Sequence, residues 1–191
     1  MKQQNDMALK EWAVTCQALE EGKQTILLRK GGVAEEGGVF KTEHPEFFLF
    51  PTFEHETPDN IKPDWRPRLA KLEKETRDPK HVHFRLYAAA EAVLKLTDFE
   101  AVKRLIPFTV LSDSAIEKKF NCDDWQGLYM YLVRVYSLAV PMDLPRKPAF
   151  EGCKSWVPLG TSLFTVGAYP VLPDGAWPYT REKILKVARS A

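Results

Sequence analysis

Residues 128–140 read L-Y-M-Y-L-V-R-V-Y-S-L-A-V. Aromatic and β-branched side chains at this density favour a pleated, buried surface, so the run predicts a long strand, closed by Pro141. A strand of that length needs partners, and three other segments offer themselves. Thr25 to Lys30 (T-I-L-L-R-K) follows Gly22-Lys23. Phe47 to Phe53 (F-F-L-F-P-T-F) is rich in aromatics and fits a buried strand bounded by Pro45 and Pro58. From His81, Val82, Phe84 and Leu86 alternate with His83, Arg85 and Tyr87, the period of a strand; the Ala88-Ala89-Ala90 run after it fits strand or helix.

Helices fill the gaps between these strands. Leu9, Trp12, Ala13, Cys16 and Leu19 recur at helical spacing, which predicts a first helix capped by Asp6 and stopped at Gly22. Gly31, Gly32, Gly37 and Gly38 frame a loop. Pro58 to Pro67 reads as a connection leading to a charged helix that Asp78-Pro79 ends. Asp98, and Ser112 or Asp113, are cap residues for two short helices, and Thr180 is one for a last helix. Trp156-Val157-Pro158-Leu159 lies in a Pro- and Gly-rich segment. Long strands interleaved with helices, without regular βαβ alternation, predict an α+β fold. Its sheet is curved and mainly antiparallel, or closed into a small β-barrel, with flanking helices. The organisation expected is a single domain over 1–191, with a helical insertion around 62–77 and a C-terminal helix around 180–190.

Bulk properties narrow the function. The chain has 191 residues, 45% apolar and 28% charged, with 27 basic and 26 acidic residues and a formal charge of +1. That balance excludes a generally cationic coat protein but leaves room for a local basic patch. From Lys62 to Arg85 there is such an excess: Lys62, Arg66, Arg68, Lys71, Lys74, Arg77, Lys80 and Arg85 face only Asp64, Glu73, Glu75 and Asp78. Arg181, Lys183, Lys186 and Arg189 add to it near the C-terminus. Cys16, Cys122 and Cys153 are far apart and odd in number, which fits neither a disulfide framework nor C-x-x-C metal spacing and points to a reducing, cytoplasmic setting. No apolar run is long enough to cross a membrane and no signal-peptide h-region is present, so no membrane partner is expected.

A-L-K-E-W-A-V-T-C-Q-A-L-E-E-G-K-Q-T-I-L-L-R-K-G-G, then F-F-L-F-P-T-F-E-H-E, Y-L-V-R-V-Y-S-L-A-V-P and C-K-S-W-V-P-L, together resemble the bacterial family catalogued as domain of unknown function DUF1802. The resemblance covers most of the chain and brings no established activity. Members occur alongside Mrr-type restriction endonuclease domains, which implies an accessory role with a restriction endonuclease as partner. A looser similarity is to ASCH and related PUA-like domains, small barrels that bind RNA or read modified bases. Gly22-Lys23 after a helix matches their G-K-x-x-E-x-R motif, whereas Arg29 falls at the wrong spacing and the motif glutamate is missing.

Individual residues carry paired readings. Arg29 and Arg134 sit among apolar strand residues, where a guanidinium must meet a carboxylate such as Glu54 or an anionic ligand. His81 and His83 share one strand face. With His55 and the nearby glutamates they supply ligand types suited to zinc or non-haem iron, yet without diagnostic spacing such as H-E-x-x-H. Trp65 and Trp177, in Pro-rich stretches, are the tryptophans expected to be exposed for base stacking. Lys30-Gly31-Gly32 is not a P-loop. The glutamate helix of a Nudix enzyme and the Asp…(Asp/Glu)-x-Lys pattern of restriction nucleases are both missing. No histidine neighbours Ser112, Ser114 or Cys122 in sequence.

The leading expectation is a nucleic-acid-binding accessory or recognition module, for DNA or RNA, in a restriction-modification or RNA-processing system. Its contacts would be Lys23, Arg29, Lys62, Trp65, Arg66, Arg68, Lys71 and Arg85. No cofactor and no catalytic residue is called for. The alternatives are a metal-dependent hydrolase built on His55, His81 and His83 and acting on a nucleotide or nucleic acid, and a structural or regulatory partner protein.

Overall fold

The computed structural model describes residues 1–31, 33–36, 39–122, 125–152 and 154–189. Its main sheet takes β1 (Gln4–Trp12), β2 (Ile26–Arg29), β5 (Glu46–Thr52), β6 (His81–Leu96), β7 (Leu128–Pro145) and β8 (Trp156–Phe164) in the order β2-β7-β6-β5-β1-β8, with β9 (Tyr169–Pro170) also paired to β7. All pairings are antiparallel except β1 with β5. A separate hairpin joins β3 (Val33–Glu36) to β4 (Val39–Thr42). The helices are α1 (Ala13–Glu20), α2 (Arg66–Thr76), α3 (Phe99–Lys103), α4 (Asp113–Asn121) and α5 (Trp177–Arg189). The fold is α+β, with a curved, mainly antiparallel open sheet and flanking helices.

The sheet is covered on both faces. On one, Phe47, Leu49, Leu86, Ala88, Val133 and Val135 pack with Cys16 and Leu19 of α1. On the other, Phe48, Phe50, Phe84 and Tyr87 meet Val157, Leu159 and Leu163 of β8 at one end. At the other end Ile26, Leu28, Met130 and Leu132 meet α2, α4 and α5 through Leu69, Ile116, Phe120, Ile184 and Leu185. β5 is therefore apolar on both faces, and Phe47 to Phe50 are at most 1% exposed.

Several sequence expectations change here. Residues 4–12 form a strand, and the first helix begins only at Ala13. Its apparent helical period from Leu9 spans a strand–helix junction, and pairing with β5 and β8 overrides it. Pro141 does not close β7: the ladder runs from Phe84↔Met142 to Leu86↔Ser137, so Pro141 sits in an irregular stretch where it need not donate. The alanine run continues β6. Trp156 to Leu159 begins a strand, and α5 starts at Trp177, upstream of Thr180, with Pro178 in its first turn where no N–H is required. Val33–Glu36 and Val39–Thr42 make a hairpin within the expected glycine loop; Gly32, Gly37, Gly38 and Cys153 lie outside the described residues. Asp98 and Ser112 cap α3 and α4, accepting from Glu100 and Ala101 and from Ala115. No helix among the described residues is long and apolar enough to cross a membrane.

The start of α1 is held from outside the helix. Glu56, 6% exposed, accepts from the Val14 N–H at 2.9 Å through Oε1, while its Oε2 is buried with no partner among the described residues. Burial pushes the carboxyl up from 4.5 to about 8. A folded-state pKa above the unfolded one means the folded chain holds the extra proton between those values. Stability from this group is therefore highest below pH 4.5, falls as pH rises towards 8, and levels off above it. Glu56→Gln keeps the acceptor and cannot ionise. We predict that urea unfolding from pH 5 to 9 shows a decline in wild-type stability, on the order of 3 kcal/mol, that the variant lacks. Parallel pH profiles for the two proteins would contradict the protonated cap.

Candidate functional site

A cleft of about 470 Å³ lies between α1, α2 and the sheet. Ala13, Cys16, Gln17 and Glu20 line it from α1, at spacings that put them on one helix face. Leu49 and Pro51 of β5 with Leu86 of β6 give it an apolar floor; Leu72 and Phe53 add an apolar wall, and Lys71 and Glu75 rise from α2. α2 is pinned beside α1 by Leu69, its one fully buried apolar residue, which leaves Lys71, Glu75 and their neighbours facing water.

The β6 irregularity between Phe84 and Leu86 shapes the mouth. Before it, Val82 and Phe84 belong to one core face; after it, Tyr87 takes that face and Leu86 the opposite one. His81, His83 and Arg85 therefore share the cleft face with Leu86, and the bulge sets a guanidinium next to an apolar floor residue.

Charges at the rim are partly matched. Arg85 meets Glu20 at 2.9 Å, and Lys71 lies 3.9 Å from Glu75; the side chains of Arg85 and Lys71 remain 62% and 69% exposed. His81 Nδ1 lies 3.2 Å from Asp78 Oδ2, His83 Nε2 3.6 Å from the same oxygen, and His83 Nδ1 2.7 Å from Asp143. The Lys80 backbone N–H and His81 hold the Asp78 carboxyl below its usual range. Arg146 donates through Nε to the Asp78 carbonyl at 2.9 Å. Cys16 lies against the floor, where burial, then Glu11, Glu56 and Glu20, push its thiol well up; it is a packing residue, not a thiolate nucleophile.

Of the residues singled out from sequence, the cleft gathers Lys71, Arg85, His81 and His83. Others are spent elsewhere. Arg29 donates to Glu11 at 2.8 Å and to the Lys10 carbonyl, so the carboxylate reading holds with Glu11 in the place considered for Glu54. Lys62 donates to the carbonyls of Ile106 and Thr109, both at 2.7 Å, and burial pulls its pKa down. Arg66 donates to the Ile61 carbonyl. Trp65 and Trp177 are 9% and 8% exposed, not the open platforms expected: proline-rich surroundings here steer each ring into the helical core. Arg68 stacks on Trp65 at 4.3 Å and grips Glu21, which also pairs with Lys23. His55 stands in the turn after Phe53, at φ 59°, and is not part of the cleft. Among the described residues no group of three or more His, Cys, Asp or Glu is arranged to hold a metal ion. His81 and His83 instead turn their nitrogens to Asp78 and Asp143. Gln17, Glu20 and Arg146 escaped the sequence reading; only the first two carried a signal, their helical register with Ala13 and Cys16.

The model of the family described as "Domain of unknown function (DUF1802)" matches residues 8–183, and the chain belongs to that family. No curated protein matches it. Among solved structures, it is similar to the ASCH protein of Zymomonas mobilis, at 13% identity and a TM-score of 0.44, covering 92% of this chain and 93% of that one. A structure of a point variant of the same Zymomonas protein gives 13% identity and a TM-score of 0.44, over 93% and 94% of the two chains.

The Arg29–Glu11 pair has side chains only 13% and 10% exposed. Breaking such a pair from one side leaves a buried charge, whereas removing both charges does not. Arg29→Met is expected to cost about 3 kcal/mol in urea unfolding, and Arg29→Met with Glu11→Leu to recover most of it. Equal losses in the single and double variants would show that the guanidinium is not held by Glu11.

Proposed function

We propose that the cleft binds single-stranded nucleic acid, seating one nucleotide with its base over Leu49, Leu72 and Leu86 and its phosphates against Lys71 and Arg85. The observation that carries this reading is the meeting of those two cations, from α2 and β6, at the mouth of an apolar-floored cleft. Its volume falls within the roughly 300–1,000 Å³ usual for small-ligand sites, room for a nucleotide. Bases are apolar on their faces and every base has one, so such a floor recognises a strand without reading its sequence. Exposed lysine and arginine side chains reach phosphates readily, and Glu20 and Glu75 hold them in place until an anion competes for them. In this reading the protein recognises a strand, and chemistry on it belongs to a partner such as a restriction or RNA-processing enzyme.

Anisotropy of labelled single- and double-stranded DNA and RNA at low salt tests the proposal. The expected result is single-strand binding that weakens with salt and preference over duplex. Lys71→Glu with Arg85→Glu should weaken it at least ~10-fold and flatten the logarithmic salt slope by about 1.4, the amount for two phosphate contacts on a single strand. No binding at low salt, or an unchanged double variant, would end the reading.

A further inference from the structure

We infer that His81 and His83 make the cleft's hold on a nucleic-acid strand depend on pH, a control that rests on the cleft being the strand site and that strengthens binding as the imidazoles gain protons. Both rings line the cleft beside Arg85, 43% and 37% exposed, so water reaches them directly. Imidazole is the side chain that ordinarily changes charge between pH 5 and 8. His83 stands between two carboxylates: Nδ1 lies 2.7 Å from Asp143, its cross-strand neighbour on β7, and Nε2 lies 3.6 Å from Asp78 Oδ2. A neutral ring has one N–H, so one of its nitrogens turns a lone pair towards an oxygen. The imidazolium has an N–H for each. His81 Nδ1 lies 3.2 Å from the same Asp78 oxygen. Both charged rings therefore have an anion beside them before any strand arrives, as Arg85 has Glu20.

The local charge balance gives these protons their weight. Apart from the imidazoles, three cations line the cleft, Lys71, Arg85 and Arg146, against two carboxylates, Glu20 and Glu75. Asp78 and Asp143, in contact with the rings, bring that balance to one negative charge. Asp78 stays ionised, its carboxyl held below the usual range by the Lys80 backbone N–H and by His81. Two protons on the imidazoles turn the balance to one positive charge. The sign of the field that meets an approaching phosphate is then set by His81 and His83, and lower pH draws the strand in.

Oligothymidylate and oligouridylate without terminal phosphates, carrying a pH-insensitive dye, are suitable probes. Neither their bases nor their phosphodiesters change charge between pH 6 and 8, so a pH effect on binding comes from the protein. At constant ionic strength, affinity measured by anisotropy should rise at least ~5-fold from pH 8 to pH 6. His81→Gln with His83→Gln should match the wild type at pH 8 and lose most of the gain at pH 6. His83→Gln alone should lose the larger share, since that ring faces two carboxylates. Equal wild-type affinity at the two pH values, or a gain that survives in the double variant, would overturn the inference and leave the cleft as a strand site. No binding of either probe at either pH would overturn both.

Discussion

β1 pairs with two strands at once, parallel to β5 and antiparallel to β8, and the remaining architecture depends on that double registration. Because β1 ends at Trp12 and α1 begins at Ala13, the strand fixes where the helix starts and how it points. The helix then serves three neighbours: Val14 and Ala18 join the helical core, Cys16 and Leu19 the sheet core, and Gln17 and Glu20 the cleft. Eight residues are too few to stay helical in water alone. The packing on either side, with the Glu56 carboxyl at its first turn, supplies what length does not.

Charge is distributed along the same lines. Cations away from the cleft are committed to protein partners: Arg29 to Glu11, Lys62 to carbonyls, and the partly exposed Arg68 to Glu21 and an indole. Lys71 and Arg85 sit where water reaches them and where concavity gives a ligand something to press against. A near-zero net charge thus coexists with a localised pair of basic side chains. Position decides their role, since an exposed cation costs little to redirect and a buried one a great deal.

How much of this was legible follows from the range of the interactions. The strand at 128–140 could be read because its side chains declare it, and Asp98 and Ser112 because a cap bonds within its own turn. The 4–12 strand could not, since its partners lie far along the chain and the apolar positions imitate a helix across the junction. Lys71 and Arg85 stood out as part of a basic run, but so did Lys62 and Arg66, and local composition does not reveal which of them ends beside a carbonyl. Asp78 reaches His81 within three residues, but Asp143 meets His83, and Arg146 the Asp78 carbonyl, only through the β6–β7 ladder, a relation no local motif encodes. Nor does the Pro-rich sequence around Trp65 reveal that its ring packs with Leu69 in the helical core.

The span of the β1–β8 ladder has a further consequence for biosynthesis. Asn5 is matched with Leu163, so the N-terminal strand emerges from the ribosome long before its outer neighbour exists. Until then the phenylalanine-rich β5 has β1 beside it but lacks the cover that Val157, Leu159 and Leu163 later provide. Non-local pairing of this kind slows folding and leaves adhesive intermediates. Nascent chains stalled short of β8 should therefore be the forms most dependent on chaperones.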